Sequence, residues 1–97
     1  MKVFYIFLIL FSINNIADEF VVIDVRTPEE FKAGHIEESS NVEWQIISSI
    51  IDEVKKDQKI YLYCRSGRRS QNATDILINL GYEDVTNLGG IRDAACL

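Results

Sequence analysis

Residues 59–70, KIYLYCRSGRRS, pass from an apolar run into a basic, glycine-containing loop. Lys59–Tyr63 reads as a short buried strand, and Cys64 stands where that strand ends. Downstream, Ala73, Ile76, Leu77 and Leu80 recur at helical spacing until Gly81, so a helix is expected from about Ser70. Strand, loop and helix in that order are the unit from which parallel sheets are built.

The flanking sequence repeats the alternation. Upstream, Phe20–Val25 (FVVIDV) is a second β-branched run. It is followed by Thr27-Pro28-Glu29-Glu30, which places a capping hydroxyl, a first-turn proline and two acids at a helix start, and Gly34 stops that helix. A polar loop then runs to Asn41-Val42. Between Gln45 and Lys56, the spacing of Ile46, Ile47, Ile50, Ile51 and Val54 predicts one apolar helical face, with Lys55 and Lys56 at its C-terminal end. Asp84–Leu88 is expected as a third strand, ended by Gly89-Gly90. The expected class is α/β, a mostly parallel central sheet flanked by helices.

Residues 1–17 differ from the rest. Lys2 precedes an apolar run from Val3 to Phe11, and no acid occurs before Asp18. This is the layout of a signal peptide, and the run is shorter than the roughly 20 residues of a membrane-spanning helix. The expected organisation is a leader over 1–17 and a single domain over 18–97, in a periplasmic or secreted protein. A buried first element, or an uncleaved membrane anchor, is the alternative reading. The 97 residues carry a net charge of −5, which speaks against nucleic acid as a partner. Two cysteines and one histidine are too few for a structural zinc site or a disulfide framework, so neither metal nor cofactor is expected.

Chemistry concentrates at Cys64. Ligands of open parallel sheets bind at the C-terminal strand edge, where this cysteine sits. Gly67 lets the backbone curl so that successive N–H groups point inward, and the start of the next helix adds its positive end. Arg65, Arg68 and Arg69 bring three cations into an otherwise acidic chain. All of these favour thiolate over thiol, so Cys64 is expected to be a nucleophile without a histidine base.

Three motifs in order carry a family resemblance: Val22–Ile36 (VIDVRTPEEFKAGHI), the loop from Cys64 through Gly67 and Arg69 to Ser70, and Asn87-Leu88-Gly89-Gly90-Ile91. Together, over about residues 20–93, they resemble the rhodanese (thiosulfate sulfurtransferase) family. Size and leader look most like its single-domain periplasmic members of the phage-shock-protein E type. The chain departs from the family pattern at Glu38 and Ser39, and at Ala94 where a tryptophan is common.

The resemblance implies transfer of sulfane sulfur from thiosulfate, through a persulfide on Cys64, to cyanide, a small thiol or a protein cysteine. Arg65, Ser66, Gly67, Arg68, Arg69 and Ser70 would form the substrate-binding loop, with Arg69 at the position the family uses as a brace. Four residues separate Cys64 from Arg69. The related phosphatases and arsenate reductases have one more, and a tighter cradle suits a single sulfur atom over a tetrahedral oxyanion. A non-enzymatic persulfide carrier or redox relay is the rival function, and a catalytically silent binding module a second.

Asp24, Arg26 and His35 are supporting candidates. An ion pair from Arg26 to Glu29 or Glu30, fixing the loop against the first helix, is favoured over a catalytic role. A hydrogen-bonded structural histidine is favoured for His35, because an ionised thiol needs no base. Cys96 is either a resolving partner for Cys64 or a terminal residue without a role.

Overall fold

Apolar strands placed side by side, with connecting segments packed on both faces, account for the architecture. The computed structural model describes residues 20–95. In chain order they form β1 (Phe20–Asp24), α1 (Pro28–Ala33), β2 (Ser40–Asn41), a 3₁₀ helix (Trp44–Asp52), β3 (Lys59–Cys64), α2 (Arg68–Asn79), β4 (Val85–Gly90) and α3 (Ile91–Ala94). The strands make one parallel sheet in the order β2-β1-β3-β4. This is the expected α/β class. The leader expected at 1–17, and Cys96, lie outside the described residues.

Side-chain alternation gives the sheet two different faces. On one, Ile23, Val25, Ile60 and Leu62 pack with Ile47 and Ile50 of the 3₁₀ helix and Ala73 and Leu77 of α2. This is the main core. On the other face Val22, Tyr63 and Ala94 make a small cluster beside an apolar groove of about 430 Å³, lined by residues including Phe20, Ile36, Tyr61 and Leu88.

Three sequence expectations shift. The helix expected over Gln45–Lys56 is a 3₁₀ helix that ends at Asp52, and Ile46 has non-helical φ/ψ. With three residues per turn, positions 44, 47 and 50 line up inward. Ile47 and Ile50 are accordingly buried, while Ile46 and Ile51 are exposed. The loop before Val42 contributes the two-residue strand β2. The third expected strand begins one residue later and runs on through Gly89 and Gly90. Leu88 is an extra residue in β4: Leu62 faces Asn87 and Tyr63 faces Gly89. Such bulges re-aim side chains and concentrate beside functional sites.

Candidate active site

β1 and β3 are neighbours in register, Asp24 opposite Tyr63, so the chain segments leaving them lie together at the C-terminal sheet edge. Cys64 is the last residue of β3 and is 1% exposed. Gly67 follows in the left-handed region, at φ 102°, and serves as N-cap of α2 without a side-chain cap. The first turn of a helix has N–H groups lacking intrahelical acceptors. Here the sulfur supplies one: Gly67 N–H donates to Cys64 Sγ at 2.9 Å. The Ser70 hydroxyl lies 3.4 Å from the same sulfur.

These contacts set the ionisation of Cys64. Burial pushes the thiol up, but the Ser70 hydroxyl and the N–H groups of Ser70, Gly67 and Ser66 more than offset it, leaving the thiol below its ordinary range. The leading stabilisers are therefore hydrogen-bond donors rather than the loop arginines, which the sequence reading counts alongside them. Arg69 is held cationic chiefly by its bonds to Glu30, with a smaller contribution from the charge of Cys64.

The arginines divide in two. Arg65 and Arg68 are exposed and have no hydrogen-bond or ion-pair partner among the described residues. Arg69 donates two bonds to Glu30 of α1, at 2.8 and 3.0 Å. Glu30 also completes the capping box of α1 with Thr27. Its carboxyl is lowered to about 2, first by Arg69 and then by the Thr27 N–H. Arg69 thus braces the loop against α1, across 39 positions of sequence.

This corrects the expected pairing of Arg26. Arg26 takes neither Glu29 nor Glu30; its Nε and Nη2 grip both carboxylate oxygens of Asp24, at 2.7–3.0 Å. Nη2 also donates to the Gly34 carbonyl, which ties down the end of α1. Asp24 is wholly buried and Arg26 nearly so. Asn41 closes the site by donating to the carbonyls of both residues. The intended role, fixing the strand end against the first helix, is retained with a different partner.

His35 is exposed; its Nδ1 contacts the Phe31 carbonyl at 2.7 Å and its ring stacks on Phe31. These contacts are those of a structural histidine. Among the described residues no other cysteine accompanies Cys64.

Two contributors were not assigned a site role from sequence. Asn87 accepts the Ser70 hydroxyl at 2.6 Å and donates to the Gly67 carbonyl. Gly90 backs the loop: a Cβ there would lie 2.5 Å from the Arg65 carbonyl oxygen. The signal for Gly90 was present in the pair Gly89-Gly90, which reads as a turn until the strand is known to continue through it.

A strand-end thiol, with two arginines of the adjoining loop unpaired among the described residues and a third braced, can bind an anion and attack it. The comparisons identify the family. The rhodanese-like domain model matches residues 13–94. A mitochondrial relative in Schizosaccharomyces pombe, named for thiosulfate sulfurtransferase activity, is 41% identical over 83 residues, covering 72% of this chain and 58% of that protein. The thiosulfate sulfurtransferase PspE of Escherichia coli is 35% identical over 75 residues, covering 75% of this chain and 72% of that protein. A solved rhodanese with anions from E. coli superposes with TM-score 0.73 at 32% identity, over 77% of this chain and 91% of that one. The motif order, the parallel sheet and these matches agree, and the chain belongs to the rhodanese family of sulfurtransferases.

Proposed function

We propose that this protein is a thiosulfate sulfurtransferase that carries sulfur as a persulfide on Cys64. The observation that carries the reading is the environment of Sγ: the sulfur of a buried cysteine bonded by the Gly67 N–H, on a loop whose Arg65 and Arg68 are exposed and unpaired among the described residues. The two arginines attract a dianion. Cys64 is 1% exposed, which favours a narrow group such as the terminal sulfur of thiosulfate over a bulky tetrahedral ester. Cys64 thiolate attacks that sulfur, forming a new S–S bond. The bond to the sulfonate sulfur breaks and sulfite leaves with its electron pair. The persulfide's outer sulfur takes the negative charge, and the loop N–H groups of residues 65–69 stabilise it as an oxyanion hole would. Cyanide, a small thiol or a protein cysteine then attacks the outer sulfur, releasing Cys64 as thiolate.

The test is steady-state thiocyanate formation from thiosulfate and cyanide. A double displacement predicts parallel reciprocal plots as the second substrate is varied. Persulfide formation without thiocyanate turnover would instead make the protein a carrier for one partner. Export to the periplasm or beyond is the second part of the proposal, supported by Lys2 and the apolar run Val3–Phe11. Exported material is expected to begin near Asp18, and a start at Met1 would contradict cleavage.

A further inference from the structure

The Ser70 hydroxyl has one proton and three acceptors within reach: Asn87 Oδ1 at 2.6 Å, the Gly67 carbonyl at 3.1 Å and Cys64 Sγ at 3.4 Å. Ser70 is fully buried, so no competing solvent is implied. The orientation of the Asn87 amide is set by its neighbours. Oδ1 accepts the Gly89 N–H at 2.9 Å, and Nδ2 donates to the Gly67 carbonyl at 3.2 Å and to Gln71 Oε1 at 3.1 Å. An amide oxygen only accepts, so in the 2.6 Å contact Ser70 is the donor and its proton points away from the sulfur. The serine oxygen can then accept the S–H of a neutral Cys64. A thiolate has no proton to give and requires the hydroxyl to turn toward it, which costs Asn87 its bond.

We infer that Asn87 is a positioning residue for Cys64, acting through Ser70: it holds the hydroxyl proton while Cys64 is a thiol or is capped by sulfur, and yields it when Cys64 is a thiolate. The inference rests on the reading of Cys64 as the sulfur-bearing nucleophile. The β4 bulge makes it possible, because Asn87 and Gly89 flank the extra residue Leu88 and the Gly89 N–H anchors Oδ1. Asn87 thereby links the thiol's ionisation to a strand outside the loop. The charged groups around Cys64 are Arg65, Arg68 and Arg69 on its own segment, with Arg26, just after β1, and Glu30 of α1 facing Arg69; Arg92 and Asp93 follow β4 in α3. All are unchanged among the variants below.

The test is the pH profile of iodoacetamide alkylation, read by intact mass, in a Cys96→Ser chain so that Cys64 is the thiol followed. Asn87→Ala removes the competing acceptor and is expected to lower the alkylation midpoint by about half a pH unit. Asn87→Asp, a stronger acceptor, is expected to raise it. With Ser70→Ala added, the Asn87→Ala shift vanishes and the Asn87→Asp shift shrinks. A merely structural Asn87 would raise the midpoint in both variants, by equal amounts with or without Ser70, and that result overturns the inference. If Asn87→Ala does not fold, an Asn87→Asp shift equal in the two backgrounds is equally fatal. Failure of the sulfur-transfer reading would show separately, as wild-type protein that gains no mass from thiosulfate while this alkylation pattern holds.

Discussion

β1 and β3 end side by side, and each passes through a charged segment into a helix, yet the two segments use their charges in opposite ways. After β1, Asp24 and Arg26 are buried and pair with each other, Arg26 Nη2 also donates to the Gly34 carbonyl, and Asn41 donates to the Asp24 and Arg26 carbonyls. After β3, Arg65 and Arg68 are exposed and unpaired among the described residues, while backbone N–H groups face a sulfur. The first strand end is a closed ionic joint. The second is, under the proposed function, an open anion site. Arg69 connects them, since its partner Glu30 belongs to the helix that the first joint holds. Adjacent strand ends of one sheet thus differ in whether their charge is paired within the fold or left exposed.

That contrast can be broken experimentally, beginning with the largest effect. Cys64→Ser preserves volume and hydrogen bonding but removes the soft, readily ionised nucleophile, so thiocyanate formation should fall to the uncatalysed level with an unchanged unfolding midpoint. Arg26→Ala leaves the Asp24 carboxylate buried without its partner, and urea unfolding should show a loss of about 3–5 kcal/mol. If Arg26→Ala instead left stability intact and abolished turnover of folded protein, the joint would be part of the chemistry. Replacing Arg65 and Arg68 by alanine should raise the KM for thiosulfate by about three- to tenfold at low salt, with little change in kcat or stability. The effect should fade as salt is added, because exposed charges are screened.

Glu30 gives the smallest effect and a defined direction. Its folded value, about 2, lies below the ordinary 4.5. Its contribution to stability is therefore complete above 4.5 and is lost as pH falls toward 2. Unfolding midpoints measured across that window should decline less steeply for Glu30→Gln than for the parent. Parallel declines would show that the bridge to Arg69 adds nothing.

What could be read from sequence follows the range of each interaction. Thr27, Pro28, Glu30 and Gly34 define α1 because capping acts within a few residues; the Thr27 cap is the one the pattern implies, and the return bond from the Thr27 N–H to Glu30 adds to it. Cys64 and its loop were legible because sulfur, glycine and arginine are contiguous. The 3₁₀ helix was not, because Ile47 and Ile50 suit either winding, and only packing decides that Ile46 and Ile51 turn outward. The two residues of β2 are too few to carry a period. The partners of Arg69 and Ser70 come from elements far along the chain, and spacing does not report them. Arg26 shows the opposite failure: its partner two residues away was passed over for acids that belong to the helix.

The central claim is that Cys64 itself takes up sulfur, and intact mass of the wild-type protein before and after thiosulfate tests it most directly. The account predicts a gain of one sulfur atom, located by peptide mapping to the segment containing Cys64 and removed by cyanide. No gain, or a gain at Cys96 alone, would contradict it.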